Sequence, residues 1–111
     1  LVQRADGTLD VYEHGNVPIG LSEEVSYEQF PVQLQSGDRV IMYSDGITEA
    51  RRQGSREFFG DARFRALLSR SRSSGVEQAV KEVLDGFKEW LGETRPPDDI
   101  TLLIVEPVTE I

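Results

Sequence analysis

Gly37-Asp38-Arg39-Val40-Ile41-Met42-Tyr43-Ser44-Asp45-Gly46-Ile47-Thr48-Glu49-Ala50 is the stretch whose reading decides the fold. Ser36-Gly37-Asp38 has the composition of a tight turn, and Arg39 to Tyr43 is then a short, nearly continuous apolar run. Such a run predicts a central strand covered on both faces. It ends on Ser44-Asp45-Gly46, so a carboxylate stands at one end of a buried strand. A second segment repeats the design: Pro96-Pro97-Asp98-Asp99-Ile100-Thr101-Leu102-Leu103-Ile104 places carboxylates just before the last apolar strand, Ile100 to Val105. If the two strands are neighbours in one antiparallel sheet, Asp45 and Asp98 face one small space. Hard oxygen donors of this kind suit Mg²⁺ or Mn²⁺, which keep several waters and need few carboxylates each. Taken singly, each segment is better read as turn chemistry, Asp-Gly after a strand and Asp-Asp before one; together and in this order they are more specific.

Upstream, Thr8 to Glu13 alternates after an Asp6-Gly7 pair, which suits a hairpin. Asn16 to Gly20 reads as a loop, and Val25 to Leu34 has the β-branched and aromatic spacing of a strand. Downstream, a helix is expected from about Asp61, read as its cap, with Phe64, Leu67 and Leu68 on one face. Ser69 to Ser74 is a polar linker. The next helix opens on a capping-box signature, Ser74 with Glu77. Its stripe of Val76, Ala79, Val80, Val83, Leu84, Phe87 and Leu91 keeps helical spacing, and Gly92 is a natural stop before the two prolines. The order of elements predicts an α+β layer, an antiparallel sheet with both helices on one face.

Composition narrows the function. The 111 residues carry 38% hydrophobic and 29% charged side chains, as a folded globular chain does. A chain of this length buries roughly 60–70% of its unfolded surface, enough for a core. Twelve basic against twenty acidic residues leave a charge of −8. That balance argues against nucleic acid, whose binding needs a basic patch, and against anionic membranes. There is no cysteine, which excludes disulfides and thiolate metal sites and fits the cytoplasm. No apolar run approaches a membrane span, and no signal peptide is recognisable. The opening Leu1-Val2-Gln3-Arg4 lacks an initiator Met, and the chain is expected to belong to something longer.

The stretch from Gly37 to Ala50, paired with Asp98-Asp99-Ile100-Thr101, resembles the signature of the SpoIIE-type phosphatases, the bacterial branch of the metal-dependent (PPM, type 2C-like) Ser/Thr protein phosphatases. Phe59-Gly60 before an amphipathic helix, the long helix ending before Asp98, and Pro18-Ile19-Gly20-Leu21 are similar to the family as well, so the likeness runs from about Leu1 to Glu106. It implies that residues 1–111 are the C-terminal part of a catalytic domain built as a four-layer αββα sandwich, with a dinuclear Mn²⁺ or Mg²⁺ site in the complete domain. Asp45 and Asp98 match metal-ligating positions, and Gly46 and Asp99 stand beside them in supporting or structural roles. The implied reaction is hydrolysis of phosphoserine or phosphothreonine by a metal-activated water, with no protein side chain as the nucleophile. The implied substrate is a phosphorylated regulatory protein, an anti-sigma-factor antagonist, and an upstream sensor or receiver domain would accompany it in the parent chain.

The family's N-terminal metal motifs have no match within the chain, and Arg52 replaces the Asn common after Glu-Ala-Arg. An incomplete metal site, an inactive isolated chain and self-association through an exposed sheet edge or face are therefore expected. Without a cation, close carboxylates repel, which favours disorder or local protonation between Ile47 and Arg56. The competing readings are a non-catalytic interaction domain that keeps the fold, and a haloacid-dehalogenase-type phosphatase. The latter needs a nucleophilic Asp two residues before Asp45, where Tyr43 stands. His14, the single histidine, supports no triad. Trp90 reads as packing, and Arg51 and Arg52 as either a phosphate contact or a solvated basic pair. Arg63, Arg65, Arg70 and Arg72 read as the polar side of the first helix and its linker.

Overall fold

The computed structural model describes residues 1–12, 18–96 and 98–108. Strands β1 (Val2–Gln3), β2 (Leu9–Asp10), β3 (Arg39–Tyr43) and β4 (Leu102–Val105) form one antiparallel sheet in the order β2-β1-β3-β4. Between β3 and β4 run α1 (Asp45–Thr48), α2 (Gly60–Arg70) and α3 (Val76–Leu91). Among the described residues no helix is long and apolar enough to cross a membrane.

The pairing of β3 with β4 is the expected one, with Ile41 opposite Ile104 and Tyr43 opposite Leu102. Side chains alternate across a strand, and the sheet uses that to separate two faces. Ile41 and Ile104 point into a core completed by Phe64 and Leu68 of α2 and by Ala79, Val83, Phe87 and Leu91 of α3. Both helices thus cover one face, as the stripe on α3 predicts. Tyr43 stacks at a tilt on Phe64, 4.5 Å between centroids, and Phe59 meets Phe87 edge-on at 5.1 Å. Gly86 lets the helices close, because a Cβ there would lie 2.4 Å from Cδ2 of Leu67.

Polar ties fix the layers. Arg39, buried on the helix-bearing face, donates to the carbonyl oxygens of Ser71 and Ser74 and pairs with Glu106 at 3.3 Å. Gln3 Nε2 donates to the Leu68 carbonyl at 3.1 Å. The turn before β3 forms as read, with Gly37 at φ 88° and Asp38 N–H bonded to Gln35 O. The Asp38 carboxylate accepts the N–H groups of Gln35 (2.8 Å) and Ala5 (2.9 Å) and faces Arg4 at 3.1 Å. The two amide donors, then the guanidinium, hold its carboxyl below the usual carboxylate range.

Several expectations are corrected. Val25 to Leu34 forms no strand. Strand propensity is expressed only where a ladder accepts the backbone, and β2 ends the sheet on that side; Arg4 instead tethers the segment through Gln33 O. Of the strand expected over Thr8–Glu13, Leu9–Asp10 forms β2 while Thr8, Val11 and Tyr12 lie outside it, and Ile100–Val105 shortens to Leu102–Val105. Asp61 does not cap α2: Phe59 occupies the cap position, and Asp61 lies in the first turn without a capping bond. The capping box also fails. Gly75 precedes α3, and the Ser74 hydroxyl donates to Glu82 while its carbonyl serves Arg39. The stretch from Ile47 to Arg56, expected to favour disorder, begins within α1, and Ile47 and Ala50 are fully buried, so its first part is rooted in the core. The other outer face of the sheet is open: Met42 is 56%, Leu103 48% and Val105 44% exposed. Glu13, His14, Asn16, Val17 and Pro97, to which parts of the sequence reading refer, lie outside the described residues.

Candidate functional site

An antiparallel pair brings the C-terminal end of one strand to the N-terminal end of its neighbour. The turn after β3 therefore meets the segment before β4, and the two acidic motifs share one end of the sheet. The contact is intimate. Ser44 N–H donates to Thr101 O at 3.0 Å, Thr101 N–H donates to Ser44 Oγ at 3.0 Å, and Ser44 Oγ–H donates to Asp99 O at 3.3 Å. Gly46 is buried beneath the Asp99 peptide, and a Cβ on it would fall 2.1 Å from Asp99 O. Glycine is required there by proximity of backbone to backbone, not by a left-handed conformation.

Asp45 opens α1 and is exposed, and its carboxylate has no hydrogen-bond or ion-pair partner among the described residues. It borders a cavity of about 520 Å³ that also has Tyr12, Tyr43, Thr48 and Asp61 on its wall. Asp98 is exposed and accepts the Asp99 N–H on Oδ1 at 2.8 Å, and its other oxygen has no partner among the described residues. Asp98 and Asp99 do not line the Asp45 cavity. Among the described residues no group of three or more His, Asp or Glu is assembled as a metal cage. The geometry therefore joins the two motifs through Ser44, Gly46, Asp99 and Thr101.

Sequence reasoning missed two residues here. Ser44 reads in the sequence as part of the strand end, although a hydroxyl between a strand and an Asp-Gly pair is a visible signal. Asp61 was read as a helix cap, and nothing in the sequence alone indicates that α2 begins beside Asp45. The basic pair has other employment. Arg51 lies over the Phe58 ring at 4.5 Å. Arg52 lies over Trp90 at 4.4 Å and donates to the Trp90 carbonyl at 2.6 Å. Trp90 is half-buried against Phe59 and also carries Arg63 at 5.1 Å, which fits its reading as a packing residue.

The chain is 28% identical over 100 residues to the phosphoserine phosphatase RsbU of Bacillus subtilis (strain 168), a match covering 90% of this chain and 29% of that protein. The chain thus spans less than a third of the relative's length. No solved structure matches it significantly. The family described as stage II sporulation protein E (SpoIIE) matches residues 1–107, nearly the whole chain, with both acidic motifs inside the match, and the chain belongs to that family.

Proposed function

We propose that the chain is the C-terminal part of a PPM-type catalytic domain that hydrolyses phosphoserine or phosphothreonine on a regulatory protein, with Mn²⁺ or Mg²⁺ held in part by Asp45 and Asp98. The observation that carries this reading is the junction of the two acidic motifs at one sheet end, in a chain similar to a protein named as a phosphoserine phosphatase. The donor chemistry fits the metals: both side chains are carboxylates, both are exposed, and Asp45 has no competing partner among the described residues. Such ions, when bound, lower the pKa of a coordinated water and offset charge on phosphoryl oxygens. The chain's own contribution is to present the Asp45 and Asp98 oxygens from two segments joined by one backbone hydrogen bond and two made by the Ser44 hydroxyl, with Gly46 in close approach to Asp99.

The remaining ligands would come from elsewhere in the full-length protein. The open sheet face at Met42, Leu103 and Val105 supports the same view, since a second sheet packed there would complete the four-layer sandwich and cover it. The substrate proposed from the family is a phosphorylated anti-sigma-factor antagonist, with an upstream sensor or receiver domain controlling access. The cysteine-free composition supports a cytoplasmic setting.

Residues 1–111 alone are then expected to bind Mn²⁺ only in the millimolar range or more weakly, about what a low ligand count gives. They should release no phosphate from a phosphopeptide, and should self-associate through the open face. Titration calorimetry, a phosphate-release assay and sedimentation on the isolated chain check this. Micromolar affinity with multiple turnovers would show a complete site within these residues and refute the partial-domain reading.

A further inference from the structure

We propose that Ser44 is a positioning residue of this site, a clamp that sets the distance between Asp45 and Asp98; the inference rests on the phosphatase reading above. Ser44 occupies the cap position of α1 with extended backbone, φ −90° and ψ 161°. A serine there ordinarily turns its hydroxyl onto the free N–H groups of the helix that follows. Ser44 makes no such bond. Its hydroxyl is turned across to the other acidic segment, where it accepts from Thr101 N–H at 3.0 Å and donates to Asp99 O at 3.3 Å. A hydroxyl can serve as acceptor and donor at once, and here it uses both capacities on one backbone stretch.

The consequence follows from chain connectivity. Ser44 is covalently next to Asp45, and the two groups its hydroxyl holds, Asp99 O and Thr101 N–H, bracket Ile100 in the segment that follows Asp98. A third bond, Ser44 N–H to Thr101 O at 3.0 Å, continues the β3–β4 ladder by one step. The backbone bond alone allows the Asp98 segment to pivot about Thr101. The hydroxyl adds a second and third point of attachment and removes that pivot. Gly46 keeps the gap narrow enough for the clamp to reach, because any Cβ would meet Asp99 O. Ser44 acts on the carboxylates only through the backbone, so its loss should affect metal affinity ahead of substrate binding.

The test compares Ser44→Ala and Ser44→Thr in the full-length protein, with unfolding midpoints recorded to confirm folding. Ser44→Ala should raise the Mn²⁺ concentration for half-maximal activity, and the calorimetric Mn²⁺ dissociation constant, about 10-fold, the scale set by groups that orient metal ligands. It should leave KM for a phosphopeptide unchanged and should speed hydrogen exchange at the Thr101 amide several-fold. Ser44→Thr, which keeps the hydroxyl, should restore all three. Unchanged Thr101 exchange in Ser44→Ala would show that the clamp does not exist. Faster exchange with unaltered Mn²⁺ affinity would show that it does not position the carboxylates; either result overturns the proposal. Absence of Mn²⁺-dependent turnover in the wild type would sink the phosphatase reading instead, and exchange with calorimetric affinity would still decide the role of Ser44.

Discussion

Asp45→Ala in the full-length protein is expected to lower Mn²⁺-dependent release of phosphate from a phosphoserine substrate at least about 100-fold, and Asp98→Ala by a similar factor. The size follows from role. Losing a group that merely orients a metal ligand costs about 10–100-fold, so losing a ligand should reach or exceed the upper end. Stability should scarcely change, because both side chains are exposed, neither forms an ion pair among the described residues, and exposed substitutions usually stay within about 0.5 kcal/mol. The pairing of lost activity with retained stability separates a site residue from a structural one. Steady-state kinetics across Mn²⁺ concentrations, with urea unfolding of the same samples, checks it. Full activity in both substituted proteins would remove these two residues from the site.

The second large effect is expected at Gly46. The Cβ of Gly46→Ala would sit 2.1 Å from Asp99 O and 3.0 Å from Asp99 C, and both are backbone atoms that cannot rotate away. Either α1 or the segment before β4 must shift. Overpacking of this kind costs about 1–3 kcal/mol. The shift also separates the two acidic motifs, and a misplacement of about 1 Å can cost 100-fold in rate. Gly46→Ala should therefore lose both stability and turnover, unlike Asp45→Ala. Gly86→Ala is the control. Its Cβ would meet the Leu67 side-chain end at 2.4 Å, which can rotate, and alanine favours the helix by about 1 kcal/mol. A near-neutral result at Gly86 with a loss at Gly46 would show that the type of obstacle decides the outcome, not the presence of a glycine.

What could be read in the sequence was what depends on pattern. The β3 and β4 strands are short apolar runs that need cover on at least one face, and the stripe on α3 keeps its register over four turns, so their mutual packing follows. The meeting of the turn after β3 with the segment before β4 follows in turn, since it needs only that those two strands pair antiparallel. What could not be read depends on competition between partners. Ser74 looks like a cap, yet Arg39 and Glu82 claim its carbonyl and hydroxyl. Ser44 shows in sequence as a hydroxyl before an Asp-Gly pair, but what it joins does not, because its partners lie 55 and 57 positions away. Val25 to Leu34 has the side chains of a strand, but no ladder in this sheet extends to it. Asp45-Gly46 reads as a turn, and only the burial of Ile47 and Ala50 makes the following residues a short helix.

The central claim is that this acidic sheet end belongs to a metal-dependent phosphatase site, and metal dependence itself is its most direct test. Full-length protein would be assayed for phosphate release from a phosphoserine-containing protein substrate in Mn²⁺, after chelation, and after Mn²⁺ is restored. The account predicts turnover in Mn²⁺, none after chelation, and recovery on restoration. Turnover that survives chelation, or no hydrolysis of phosphoserine under any of the three conditions, would contradict it.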